Sequence, residues 1–515
     1  MHDCLTIPEI LQIIFENFQS LERSREDRRA LAALARTSNA FSALALDELW
    51  KELYDLEPIV CCMPSDLFSG RGEDRKLLRP IKASDWHRPR IYLNRVKRIY
   101  ISHDSLVPTN IFPALNASLP AGEVESHFRK LTSLQWSYQK DLLNIRFLLS
   151  PKLNTLALGF PSSLTNSSFL SSIPLVCPGL KELSVYSMYS SLEGPSISEL
   201  IRGLHSLRKI HIAVPDLASL EHLSRLKGLT SFTCSLSNTL PILHSPLSFI
   251  ALEEVTVLDG NFETIIDFFS RCSLPVLKRL EISPSSSATT TNADKLHRAL
   301  SGSCPPSSLT ALTLNFDAGG VAEEHPDMYT IPFRSFEPLL CFFNLTSISI
   351  GSKSGICLND EEMEIIARTW PHLRRLSLWE RVESQTLSLR SLSTLAEHCP
   401  CLNSLSLSLD ARYIPELPTS NARQPVSQLA LHELCIGRSP ISGPAIYTTR
   451  FLSSIFPNLS RVITEVGIWG LDELGEDEDS ELQVYHELWM EVESQLSIFR
   501  AVREEERAKA LADKS

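Results

Sequence analysis

Pro371-His372-Leu373-Arg374-Arg375-Leu376-Ser377-Leu378 is the stretch whose spacing decides the fold. Leu376 and Leu378 stand two residues apart, the interval at which a β-strand points side chains to one face. Leu373 enters the same interior from the preceding corner. Pro371 ends the helix before it and favours extended chain ahead. The block recurs. Plain copies are Leu153/Leu156/Leu158, Leu180/Leu183/Val185, Leu207/Ile210/Ile212, Leu252/Val255/Val257, Leu277/Leu280/Ile282, Leu309/Leu312/Leu314, Leu345/Ile348/Ile350, Leu402/Leu405/Leu407 and Leu431/Leu434/Ile436. Weaker ones are Val96/Ile99/Ile101, Leu131/Leu134/Trp136, Leu229/Phe232/Cys234 and Leu459/Val462/Thr464. The period is about 28 residues. One such strand cannot bury its face alone, but stacking the strands in parallel builds a continuous core.

Between the blocks the chain reads as helix. The spacing predicts helices over Glu263 to Cys272, Ala293 to Leu300, Asp360 to Trp370, Leu389 to Cys399 and Tyr447 to Phe456. Pro-x-Leu precedes six blocks, at Pro151, Pro178, Pro275, Pro371, Pro400 and Pro457. Strand, loop and helix at this period make a curved α/β solenoid. It resembles the long-repeat kind of leucine-rich-repeat protein, a horseshoe of short parallel strands and helices, over residues 95 to 465 with about 13–14 repeats. That family often carries Asn or Cys three residues after the last leucine. Here those positions hold Pro161, Met188, Pro215, Gly260, Asp317, Lys353, Arg381 and Asp410, so irregular repeat boundaries are expected.

Residues 1 to 60 have another rhythm. Ile7, Ile10, Leu11, Ile14, Phe15 and Phe18 follow helical spacing, with Pro8 in the first turn. Leu31, Leu34 and Ala35 begin a second helix that Ser38 or Asn39 interrupts, and Phe41 and Leu44 continue the spacing. Asp47 can cap a last short helix with Leu49, Trp50 and Leu53. Ile7-Pro8-Glu9-Ile10-Leu11, then Ile14-Phe15, then Leu34, Phe41 and Leu49-Trp50 together resemble an F-box. Ile7 stands where the family usually has Leu, and the first inter-helix segment is long. The resemblance implies docking on a Skp-type adaptor and, through it, a cullin scaffold. The expected adaptor contacts are Ile7, Pro8, Ile10, Leu11, Ile14, Phe15, Leu34, Phe41, Leu49 and Trp50. The alternative is that these helices only cap the first repeat of a scaffold or inhibitor with no ubiquitin link. Residues 61 to 94 form a basic connector whose Asp85-Trp86 and Arg95-Val96 resemble the lead-in of the large fungal F-box class; it is expected to pack against the first repeat.

The target of such a receptor would bind where strand residues alternate outward onto the concave face. Candidates are Glu182, Tyr186, Lys209, His211, Arg279, Glu281, Arg375 and Trp379. Tyr186 and Trp379 are the aromatic anchors of that set.

Charge narrows the partners. The chain has 49 Lys and Arg against 61 Asp and Glu, net −12, which disfavours nucleic acid and anionic membranes. The last 46 residues hold 14 acidic and 5 basic side chains, so the acidity concentrates in residues 466 to 515, where a run from Glu473 to Glu481 precedes a capping helix over Glu487 to Ala512. Ser283 to Thr291 reads as a mobile loop. No phosphate-binding loop or His-Glu-x-x-His is present, and His398-Cys399-Pro400-Cys401 lacks second-half ligands for zinc. The expectation is a non-enzymatic intracellular chain, cytoplasmic and/or nuclear, without cofactor or metal.

Overall fold

The computed structural model describes residues 8–16, 25–70, 72–102, 105–108, 110–118, 127–137, 142–159, 167–186, 194–236, 246–286, 288–316, 326–352, 355–380, 387–415, 427–469 and 479–512. The chain divides into two compact units, Met1–Leu229 and Thr230–Ser515.

Unit 1 opens with three helices, α1 Pro8–Glu16, α2 Arg25–Thr37 and α3 Asn39–Leu49. Six parallel strands follow in chain order: β1 Glu52–Leu53, β2 Arg98–Ile101, β3 Ser133–Trp136, β4 Thr155–Gly159, β5 Glu182–Tyr186 and β6 Lys209–Ile212. Unit 2 continues the pattern with β7 Ser231–Leu236, β8 Glu254–Gly260, β9 Arg279–Ile282, β10 Ala311–Asn315 and β11 Ser347–Ser352. The same array ends with β12 Arg375–Glu380, β13 Ser404–Leu407, β14 Glu433–Gly437 and β15 Arg461–Thr464. Each unit is an α/β solenoid.

The repeated leucines are the register. Leu280, Leu312, Ile348, Leu376, Leu405, Leu434 and Val462 form one row across unit 2, and every one is buried. The corner residues Leu277, Leu309, Leu345, Leu373, Leu402, Leu431 and Leu459 are buried beside them. Burying a leucine stabilises by roughly 1.5–3 kcal/mol, so the repeated row is the main source of cohesion. The intervening helices lie close to where their periodicity puts them: Phe262–Arg271, Thr290–Ser303, Asp360–Thr369, Leu389–His398 and Ala445–Ile455. Asn261, Thr289, Asn359 and Ser388 cap four of these helices by accepting backbone N–H bonds, and Asn359 exchanges a reciprocal bond with Glu362.

The turn ladder of Asn or Cys is replaced piecemeal. Buried Gln428 donates to the Leu402 carbonyl at 2.6 Å and accepts from the Leu431 N–H at 2.9 Å. The Asp360 carboxylate accepts from the Ser388 N–H at 2.9 Å and from the Ser391 hydroxyl at 2.5 Å, tying one repeat to the next. Register slips occur between Val257 and Asp259 and between Cys435 and Gly437. Gly260 has φ +152°, and a Cβ there would collide with the Leu236 carbonyl.

Four expectations are corrected. The repeat array begins at Glu52 rather than residue 95, because β1 pairs with β2; the short helix expected around Leu49, Trp50 and Leu53 does not form. Ser283 to Thr291 is not a free loop: the Ser283 and Ser285 amides bond the Val257 and Gly260 carbonyls, Ala288 is buried and Thr289 caps a helix. The C-terminal helix starts earlier, at Asp479, and runs to Ala512, with Arg503 held on the Ser453 and Pro457 carbonyls at 2.8 and 3.1 Å. Of the acidic run, Glu473 to Glu478 lie outside the described residues.

Candidate partner-binding surfaces

The N-terminal helices bury Leu11, Phe15, Leu31 and Ala45 together, with Leu34, Ala35, Phe41, Leu44 and Leu49 packed on them. Phe15 meets Phe41 edge-on at 6.1 Å. Ser38 caps α3 by accepting from the Phe41 N–H at 3.3 Å. Leu11 and Phe15, expected as partner contacts, are instead core: three short helices need both to close their own interior. The outward side of α1 carries Ile13 and Ile14, which are 62% and 39% exposed. Ile13 was missed by sequence reasoning, although its place beside Ile14 on a short helix was a usable signal. Ile10 is half-buried. Ile7 and the Pro8 side chain lie outside the described residues.

Trp50 is half-buried. It stacks on Tyr92 of the connector, centroids 4.6 Å apart, while Arg95 donates to the Ala43 carbonyl at 3.0 Å and pairs with Asp47. The Lys97 and Arg98 amides both donate to the Lys51 carbonyl, at 2.9 and 3.0 Å. Tyr54 stacks on Tyr100. Together these contacts join the helices to the first strands of unit 1. The connector itself is folded: Trp86 is buried and donates to the Ser118 hydroxyl at 3.0 Å. Its basic charge is partly absorbed, since Arg79 forks onto Asp85 at 2.7 and 3.0 Å and onto Asp66 at 2.8 Å. The guanidinium of Arg79 holds the Asp85 carboxyl below its ordinary pKa.

On the open strand faces the expected residues differ in kind. In unit 1, Glu182 lies 3.6 Å from Lys209 and accepts from the Thr155 hydroxyl at 3.2 Å. His211 is half-buried, and burial lowers its pKa. Tyr186 is also half-buried: its ring lies across Gly159, where no Cβ would fit, and its hydroxyl bonds the Ser137 hydroxyl at 2.5 Å. It packs on neighbouring strands instead of projecting freely. In unit 2, Arg279 pairs with Glu254, while Glu281 and Arg375 are exposed. The Trp379 side chain lies outside the described residues, although its backbone belongs to β12.

The cysteine pair around Pro400 separates. Cys399 is buried and bonds the Ala367 and Trp370 carbonyls, whereas Cys401 is exposed. Burial pushes the Cys399 thiol up to about 12, far from a reactive thiolate. Among the described residues no group of three or more His, Cys, Asp or Glu is placed to hold a metal ion. Among them, too, no helix is long and apolar enough to cross a membrane.

No family model matches the chain. No curated protein matches it. Solved structures similar to it include the TLR13–ssRNA13 complex at 18% identity, over 67% of this chain and 54% of that one, TM-score 0.31. The chain thus spans about half the length of that protein. A Leptospira interrogans LRR protein, LIC12759, is similar at 12% identity over 72% and 74% of the two chains, and the Rad7 and Elc1 complex in yeast at 12% over 71% and 86%; both have TM-scores of 0.31. The fold is a leucine-rich-repeat solenoid. Its row of leucines is buried and its parallel strands leave their outward residues on an open face.

Proposed function

We propose that the chain is the substrate-recognition subunit of a Skp–cullin–F-box ubiquitin ligase. In this reading α1–α3 dock a Skp-type adaptor and the strand faces hold a target protein. The chain binds and does not catalyse: it raises the effective concentration of target lysines near a conjugating enzyme carried elsewhere in the assembly. One observation supports this most. A small helical unit with its own core presents an exposed Ile13–Ile14 edge, and it is fastened to the first strands through Trp50, Tyr92 and Arg95. That core is built without the outward sides of Ile13 and Ile14, which leaves an apolar edge of the kind partners cover.

A second reading has an observation of its own. Because β1 directly follows α3 and pairs with β2, the helices also cover the start of the array, as a terminal cap must. A plain scaffold would need nothing more. Co-purification of the full chain with a Skp-type adaptor separates the two. The double variant Ile13→Asp/Ile14→Asp should keep the wild-type circular dichroism and lose adaptor binding by roughly a hundredfold, as for a central apolar contact. Undiminished binding by that variant, or no binding by the wild type, would leave the cap reading.

A further inference from the structure

We propose that the open strand face of unit 2 takes an extended polypeptide segment carrying a basic and an acidic residue about four positions apart, the basic one on Glu281 and the acidic one on Arg375. The proposal rests on the reading of the repeats as the target-binding part and adds the chemistry of what they hold.

Charge on these faces collects at the first position of each strand, and there it is mostly self-cancelling. In unit 1, Glu52 meets Arg98 at 2.7 Å and Glu182 meets Lys209 at 3.6 Å. In unit 2, Glu254 pairs with Arg279, and Glu433 meets Arg461 at 3.2 Å. All four pairs are directly opposed on adjacent strands. Arg375 occupies the same position on β12, but its register neighbours are Ser347 and Ser404. It is exposed and has no carboxylate partner among the described residues. Glu281, two positions along β9 from its first residue, is its counterpart: exposed, and flanked by Thr256 and Thr313. Asp259 on β8 is also exposed, but Glu281 and Arg375 face only Ser and Thr on both adjacent strands, and together they are complementary to a ligand with the opposite pair.

The spacing selects the form of that ligand. β9 and β12 are three strand steps apart, about 14 Å at about 4.8 Å per step, and Glu281 lies two residues further along than the Arg375 row, so the two positions are about 16 Å apart. An extended chain advances about 3.3 Å per residue, so residues four apart lie about 13 Å apart and, at period two, point to the same side; the long Glu281 and Arg375 side chains span the remaining ~3 Å, whereas residues six apart, at about 20 Å, overshoot. The floor between the charges is built from Ala311, Thr313, Ser347 and Ser349, small enough for a backbone to lie close.

The test uses the full chain and fluorescein-labelled Gly/Ser decapeptides with one Lys and one Glu placed two, four or six residues apart, followed by fluorescence polarisation at low ionic strength. The four-residue spacing should bind tightest. Arg375→Glu should weaken that peptide roughly tenfold, the size of one charge-assisted contact, and switch preference to a peptide with Lys at both positions. Glu281→Lys should switch it to Glu at both. Equal binding at every spacing, indifference to both substitutions, or no binding at all would overturn the proposal. Adaptor binding measured on the same variants should stay unchanged. Loss of adaptor binding by the wild type, with the peptide pattern intact, would instead sink the ubiquitin-ligase reading alone.

Discussion

His297 shows how much one buried side chain can ask of the solvent. It is fully buried against Phe316 and Phe336, and Nδ1 bonds the Ser335 carbonyl at 2.5 Å while Nε2 has no partner. Burial lowers its pKa to about 4. In the unfolded chain the ring takes a proton below about 6.5, and in the folded chain it does not until about 4. Stability should therefore fall as pH drops from 6.5 towards 4, by about 3 kcal/mol from this residue, and change no further below that window. Urea midpoints at pH 7 and pH 4.5 check it: His297→Gln should show a smaller drop than the wild type, and an equal drop would assign the effect to other groups. Two apolar residues make a sharper pair of tests. Leu376, buried between Ile348 and Leu405, should cost ~2–5 kcal/mol on truncation to Ala. Phe15→Ala should cost ~3–5 kcal/mol of helical-unit stability, since the ring is core. A Phe15→Ala variant with unaltered thermal unfolding would return that ring to the surface, where its spacing beside Ile14 first placed it.

The C-terminal helix carries the clearest element-scale consequence. A final parallel strand leaves one row of backbone groups and one end of the apolar core without a next repeat. Here the helix Asp479–Ala512 supplies both: Glu493 accepts the Val462 N–H at 2.6 Å, and Trp489, Val492 and Leu496 are buried. The Trp489 indole donates to the Ser439 carbonyl at 2.9 Å, and Thr464 bonds His486 at 2.7 Å. Beneath them Arg438 meets Glu465 at 2.7 Å with both side chains nearly buried. A chain ending at Trp469 should expose this surface and associate, seen as higher-order species in size-exclusion chromatography; a monodisperse monomer would contradict the capping role. Trp489→Ala should reproduce part of that loss, at ~3–5 kcal/mol.

At the scale of the molecule, the two proposed activities belong to different units. Ile13 and Ile14 lie in unit 1, and Glu281 and Arg375 in unit 2. Their effects should add, as they do for sites without shared partners. Combining Ile13→Asp/Ile14→Asp with Arg375→Glu should give the adaptor affinity of the first variant and the peptide preference of the second. A combined variant whose adaptor affinity depends on residue 375 would show that the functions are not separable.

The period of apolar residues by itself determined the solenoid. Leu-x-x-Leu-x-Leu blocks with prolines in phase place strands β2 to β15, because a two-residue alternation that recurs every turn can be buried in few ways. Helix positions followed from the same pattern, to within a few residues. What the spacing could not decide is which partner covers an apolar or charged side chain. Leu11 and Phe15 have the same pattern whether they face an adaptor or their own chain, and only packing with Ala45 and Phe41 turned them inward. Glu52–Leu53 is too short a strand to announce itself and exists because Arg98–Ile101 pairs with it. Glu281 and Arg375 looked no different from Glu182 and Lys209 as outward residues. Register set them apart, because a charge's neighbour across a parallel sheet is a residue about 28 positions away, and its identity depends on the turn between.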